Sequence, residues 1–215
     1  MIECKDILAL CDRFERYLVP LDMYVLRQRY NGQTFKSTYA VGREMGISDE
    51  TVRTIENRAR DALAYCLDLE ANDQEITPMR LAKSFRQPVA SLICRGRWRS
   101  ASCAGYTAHR GELLIFSSST PMELREFEMH VRESNWGIEQ MTAYPRGAII
   151  GRVLLTKCFI MPVPIRHHHQ WMMYFERPEI FLEPIPYSGE PNFFYINNEI
   201  SRKLPPRYEY KYGGA

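Results

Sequence analysis

Residues 87–111, QPVASLICRGRWRSASCAGYTAHRG, constrain the fold more than any other part of this chain. Val89 to Ile93 read as an apolar helical turn or two, and Gly96 supplies the left-handed stop that ends it. Arg97 to Ala104 then mix large cations, an aromatic ring and small residues. Tyr106 to Gly111 turn into an apolar strand, Glu112 to Ser117.

The residues before this stretch have helical spacing. Ile7, Leu8, Leu10, Cys11, Phe14, Tyr17 and Leu18 recur at intervals of three and four, which predicts a helix over Lys5 to Leu18, ended by Pro20. Asp22 is expected to cap a second short helix carrying Met23, Val25, Leu26 and Tyr30, with Asn31-Gly32 as its stop. The strongest local motif follows, STYAVGREMGISDETVRTIENRARDAL. Ser37 can cap one helix ending near Met45, Gly46 permits a sharp turn, and Ser48 can cap a second helix. Gly42 lies four residues before the turn glycine, where two helices must cross closely, and Val52 and Ile55 fall on the face that packs back. These are the steric requirements of a helix-turn-helix. The second helix keeps an apolar stripe through Ala59, Leu63 and Leu67.

Glu70 to Thr77 are polar and acidic without an apolar period, so residues 71–84 are expected to form a linker between a helical domain, 1–70, and a second domain, 85–215. In the second, Pro121 is expected to start a helix with Met122, Leu124, Phe127, Met129 and Val131 on its apolar face, ending at Asn135 to Gly137. Ala148 to Leu155 suit a central strand, and Phe181 to Ile185 and Phe193 to Ile196 are further strands. Prolines at 162, 164, 178, 184, 186 and 191 are expected to confine pairing to short or edge segments.

Charge and cysteine usage exclude some classes of function. Residues 1–84 hold 12 Lys/Arg against 14 Asp/Glu (−2), and residues 85–215 hold 16 against 12 (+4). Any nucleic-acid contact must therefore come from a local patch and not from an overall field. Cys4, Cys11, Cys66, Cys94, Cys103 and Cys158 follow no metal or disulfide spacing, which predicts buried thiols in a reducing compartment. No apolar run approaches 18 residues and the N-terminal pattern is charged throughout, so a cytoplasmic protein without membrane contact is expected. His167, His168 and His169 are consecutive and cannot converge on one ion, so neither a metal nor a cofactor is expected.

Two resemblances add to this reading. Gln87-Pro88, Ala90-Ser91-Leu92, Arg95-Gly96, Tyr106-Thr107 and His109-Arg110-Gly111 resemble the opening of an ASCH domain, a fold related to the PUA RNA-binding barrel. The resemblance continues through Tyr144 to Gly151, Val153 to Cys158, and Pro178, Pro186, Gly189 and Pro191. It implies a β-barrel and, in the small bacterial members, amide hydrolysis on a modified nucleoside by a G-x-K-x-x-E-x-R motif. With Gly96 on the motif glycine, Trp98 stands at the lysine, Ala101 at the glutamate or threonine and Cys103 at the arginine. All three chemical positions are lost, and neither tryptophan nor alanine can move a proton. Residues 20–67 are similar to the −35-reading region of bacterial sigma factors: Leu21 to Tyr30 match its lead helix, Val41 to Ser48 its first helix and turn, and Glu50, Val52-Arg53 and Ile55-Glu56 its recognition helix.

The expectation is an α+β chain: an all-α helix-turn-helix domain followed by a PUA-like ASCH β-barrel. Carried over by position, the sigma resemblance implies DNA contact by Ser48, Asp49, Glu50, Arg53, Thr54, Asn57 and Arg58. Asp49 stands where sigma-type helices usually have a basic residue and Thr54 where glutamine is common. Arg97, Trp98, Arg99, Tyr106, His109 and Arg110 alternate cation and ring, a surface suited to RNA, a nucleotide-like ligand or a protein partner. A transcription-associated regulator fits this inventory. The alternatives are a hydrolase in which Arg99, Cys103 or a residue from elsewhere replaces the lysine, with His109 as base, and a non-catalytic adaptor.

Overall fold

The computed structural model describes residues 6–31, 35–103, 107–134, 143–160 and 171–208, without the side chains of 130–134. The chain gathers into two compact units. One holds the chain up to Met79 together with Asn197–Leu204, and the other holds Arg80–Ile196 together with the stretch from Pro205.

The first unit is helical: α1 (Ile7–Phe14), α2 (Pro20–Arg29), α3 (Thr38–Met45), α4 (Asp49–Ala71) and the late α7 (Asn198–Lys203). α1 is shorter than its apolar spacing predicts. α2 starts on Pro20, whose fixed φ and missing N–H suit the first helical position, with Val19 as N-cap. Asp22 is therefore inside the helix and is not its cap; it is wholly buried and paired with Arg58. The Ser37 hydroxyl caps α3 by accepting from the Ala40 N–H at 3.1 Å, and Ser48 caps α4 by accepting from the Thr51 N–H at 3.1 Å. Between them Gly46 has φ 68°, a conformation that costs glycine nothing. A Cβ on Gly42 would lie 2.7 Å from the Ile47 carbonyl oxygen, so only a glycine lets this turn close. The inner stripe of α4 runs through Val52, Ile55, Ala59, Leu63, Cys66 and Leu69, with Leu67 half-buried. α7 closes the unit from the far end of the sequence. The Asn198 amide donates to the Glu75 carbonyl at 2.6 Å and accepts from the Thr77 N–H at 2.8 Å, while Ser201 donates to the Pro78 carbonyl at 3.1 Å.

The second unit is a mixed six-stranded sheet in the order β2-β5-β4-β3-β1-β6. Its strands are β1 (Arg80–Phe85), β2 (Ser100–Cys103), β3 (Gly111–Ser117), β4 (Ala148–Ile160), β5 (Trp171–Pro186) and β6 (Phe193–Ile196), with α5 (Val89–Cys94) and α6 (Leu124–Ser134) between them. β1 and β3 are parallel and the other described ladders antiparallel. Among the described residues the order ends at β2 and β6. Leu113, Leu114, Ile115, Ile149, Val153, Leu155 and Phe175 are almost fully buried. α5 packs on β4 at Gly151, where a Cβ would meet the Glu179 carbonyl oxygen and lie 2.7 Å from Cys94 Sγ.

Three further expectations are corrected. Residues 80–84 were expected in a linker but belong to β1; the buried polar side chains of Arg80 and Lys83 break the apolar alternation that would have marked a strand. β5 runs for 16 residues and pairs on both sides despite Pro178, Pro184 and Pro186, because its register against β4 shifts at bulges instead of requiring every N–H. α6 begins at Leu124, three residues after Pro121. The expected helix end at 135–137, residues 167–169, Tyr106 and Cys4 lie outside the described residues.

Candidate functional site

Alternation along the strands decides what meets on the inner face of the sheet. Lys83 pairs with Ile115 of β3 and Phe193 of β6, so its side chain shares a face with Leu81, Phe85 and Leu113. On β5, Trp171, Met173 and Phe175 point to one face. Cys103 is opposite Trp171, Ala101 and Cys158 are opposite Met173, and Leu155 is opposite Phe175. Lys83, Ala101, Cys103 and Cys158 are thereby gathered on one side of the sheet.

Lys83 is only 6% exposed. Its Nζ lies over the Phe193 ring at 4.5 Å from the centroid and near Phe85 at 5.6 Å, and among the described residues its ammonium has no hydrogen-bond or ion-pair partner. Burial pushes its pKa down, partly opposed by the Cys103 and Cys158 sulfurs. The thiols differ in the other direction. Burial pushes Cys11 and Cys66 up to about 11 and Cys94 higher still. Cys158 is pushed down to about 7: the Cys103 side chain hydrogen-bonds to it, burial opposes this, and the Thr107 N–H, Arg110 and Lys83 all favour the thiolate. Cys103 Sγ is also 3.6 Å from the Trp171 carbonyl oxygen.

Of the six residues expected to alternate cation and ring, Tyr106 lies outside the described residues and the other five differ in exposure. Arg97 and Arg99 are exposed and Trp98 is half-buried, its backbone N–H donating to the Leu92 carbonyl at 3.1 Å. His109 is buried, with Nε2 2.9 Å from the Glu112 carbonyl oxygen, and Arg110 donates to the Thr107 and His109 carbonyls at 2.7 Å each. These two residues shape the loop that delivers the Thr107 amide to Cys158. Neither Lys83 nor Cys158 is among the site residues expected from the sequence, which reads Cys158 as a buried thiol. The available signal was a lysine inside the strand L-A-K-S-F and a cysteine inside an otherwise apolar strand, both easily taken for surface and core.

On the helical unit, Ser48, Asp49, Glu50, Arg53, Thr54 and Asn57 are exposed at the start of α4. Arg53 faces Asp49 at 3.8 Å, and the Thr54 hydroxyl donates to the Glu50 carbonyl at 3.0 Å. Arg58 departs from the expected groove face because its guanidinium grips Asp22, with Nε 3.1 Å from Oδ2. Glu56 is buried against Arg29 at 2.8 Å and accepts from the Tyr30 hydroxyl. A cleft of about 720 Å³ between Arg16, Tyr17, Glu70 and Glu75 offers no converging catalytic set. Among the described residues no group of three His, Cys, Asp or Glu is placed to hold a metal, and no helix is long and apolar enough to cross a membrane.

The fold and these sites together define an α+β protein with a helical unit and a mixed-sheet unit, the latter carrying a buried lysine beside two thiols. Among solved structures the chain is similar to the ASCH protein from Zymomonas mobilis, at 10% identity and TM-score 0.38, covering 58% of this chain and 92% of that one. It is likewise similar to a single-residue mutant of that protein, at 10% identity and TM-score 0.39, covering 58% and 94%. No family model matches the chain, and no curated protein matches it.

Proposed function

We propose that the sheet unit is an ASCH-type module that binds RNA or a nucleotide-like group at the Lys83 cluster, without the amide-hydrolysing residues of that family. The observation that carries this reading is Lys83, a cation 6% exposed that faces aromatic rings and thiols and no carboxylate among the described residues. A buried ammonium without a carboxylate or hydrogen-bond partner among the described residues is costly, and an incoming phosphate or carbonyl oxygen would supply one. Phe193, half-buried beside it, is the ring nearest to such a ligand. The motif positions of the family hold Trp98, Ala101 and Cys103, which leaves binding as the simpler role.

Fluorescence anisotropy with single-stranded RNA, single-stranded DNA and duplex DNA at two salt concentrations tests this. Single-stranded RNA should bind, and Lys83→Met should weaken it by about tenfold or more, the loss expected for a charged hydrogen bond. RNA affinity indifferent to Lys83→Met overturns the assignment.

A second reading rests on the exposed face of α4, where Arg53, Thr54 and Asn57 follow a tight, capped turn. Duplex DNA would contact these residues, and Arg53→Ala would weaken it and flatten its salt dependence. Asp49 and Glu50 on the same face limit the affinity to be expected, and duplex binding unchanged by Arg53→Ala removes this reading.

A further inference from the structure

The face of the sheet opposite Lys83 holds a second polar set. Ala82 pairs with Leu114, Leu114 with Arg152, and Arg152 with Glu179. Alternation therefore sets Arg80, Glu112, Arg152 and Glu179 on one face, across the sheet from Lys83 and Ile115. The four side chains pair among themselves: Arg80 Nε is 2.9 Å from Glu112 Oε1, and Arg152 Nε is 2.9 Å from Glu179 Oε2. Arg80, Glu112 and Arg152 are buried. Two guanidiniums against two carboxylates leave the set with no net charge, which makes it a poor seat for a phosphate.

Residues 205–208, Pro-Pro-Arg-Tyr, lie across this set as irregular backbone, with Pro206 exposed and the other three half-buried. Arg80 Nη1 donates to the Pro205 carbonyl at 2.7 Å and Arg152 Nη1 to the Pro206 carbonyl at 2.5 Å, while the Tyr208 N–H donates to Glu112 Oε2 at 2.7 Å. The Tyr208 ring lies on the Arg152 guanidinium, 4.0 Å from Cζ to centroid, and its hydroxyl donates to Glu179 Oε2 at 2.8 Å. The set thus offers donors for two successive carbonyls, an acceptor for one amide, and a seat for a phenol two residues beyond. That is the chemistry of a bound peptide. Pro205 and Pro206 have no N–H to leave unsatisfied, and the fixed φ of proline favours extended backbone. Arg80 and Arg152 keep Glu112 and Glu179 as partners when the segment leaves, so its departure strands no buried charge.

We propose that this face is a peptide-binding site selective for a Pro-Pro-x-Tyr segment, filled here by the chain's own residues 205–208 and open to the same residues of a second copy in their place. The chain passes from the helical unit to the sheet unit between Leu204 and Pro205, so exchange needs a new path only at that crossing. Every contact given up within one chain is regained between two, which is the low-cost route to a swapped pair. In that pair each copy supplies the two proline carbonyls and the Tyr208 phenol that complete the other's site. The resident segment competes at the effective concentration its short tether sets, so exchange grows with protein concentration. The site and the Lys83 cluster are on opposite faces of the sheet, and neither needs the other's ligand.

The test uses the full chain and a fluorescein-labelled peptide of residues 203–208, KLPPRY, followed by anisotropy. Tyr208→Ala in the protein, confirmed folded by circular dichroism, loosens the resident segment and should bind the peptide. The wild-type chain should bind it at least about tenfold more weakly, because its own segment fills the site in most molecules. Tyr208→Phe in the peptide should cost about tenfold or more, the loss expected for a hydrogen bond to a charged group. Tyr208→Ala in the peptide should abolish binding. Wild-type chains bearing two different tags, mixed at high concentration, should co-purify as a mixed pair that excess peptide dissolves. A folded Tyr208→Ala chain that does not bind the peptide overturns the site, as does equal binding of the Tyr208→Ala peptide. Peptide binding with no mixed pair at any concentration overturns the second copy as occupant.

Discussion

Arg58 on α4 holds Asp22 on α2, with Nε 3.1 Å from Oδ2 and the carboxylate wholly removed from water. An arginine placed by sequence at a DNA groove is thus part of the scaffold. Arg58→Ala should cost about 3–5 kcal/mol, because it strands a buried charge. Arg53→Ala, at an exposed position, should stay within about 0.5 kcal/mol. Urea denaturation of the two variants separates the roles, and equal, small effects would return Arg58 to the surface.

Gly42 permits the α3–α4 turn by lacking a side chain. On helix propensity alone Gly42→Ala should stabilise by about 1 kcal/mol. A Cβ 2.7 Å from the Ile47 carbonyl oxygen, a backbone atom that cannot rotate away, reverses the sign. The expected result is a loss of about 1–3 kcal/mol, and a raised Tm would refute the close approach.

The buried thiols make the helical unit sensitive to alkali. Cys11 and Cys66 have folded pKa values raised from 9.0 to about 11. The unfolded chain therefore loses these protons first as pH rises. The stability they contribute is complete below pH 9 and is lost progressively between about pH 9 and pH 11. Tm should fall across that interval, and Cys66→Ala should flatten the fall while lowering Tm at pH 7 by opening a small cavity.

Acid should act on the sheet unit through Glu179. Burial works to raise this carboxyl, but the Arg152 and Tyr208 hydrogen bonds outweigh it and hold it below the usual range. Its contribution is present above the unfolded carboxylate pKa and lost as pH falls through the folded value. Glu179→Gln should flatten the acid limb of a stability profile, and Tyr208→Phe, removing a 2.8 Å hydrogen bond, should do so partly. An unchanged acid limb in Glu179→Gln would exclude the network as its source.

Local rules carried much of this architecture. Ser37, Gly46 and Ser48 marked the α3–α4 turn because capping and left-handed backbone depend on near neighbours. Apolar runs marked β3, β6 and the first half of β4 for the same kind of reason. β1 and most of β5 were hidden, since Arg80 is masked as a surface residue yet buried against Glu112, and the prolines of β5 are tolerated only where bulges absorb them. The thiol cluster was illegible for a deeper reason. Lys83, Cys103 and Cys158 belong to three strands, and only ladder registers across β5 and β3 bring them to one face.

α7 sets an order of events during synthesis. Asn198 and Ser201 bind backbone groups at Glu75, Thr77 and Pro78, more than 120 residues upstream. A ribosome releases the first 79 residues long before these partners exist, so the helical unit emerges with one wall missing. Its final closure is a long-range step that waits until α7 has been made, and nascent chains stalled before residue 198 should remain open to protease at Glu75 to Pro78.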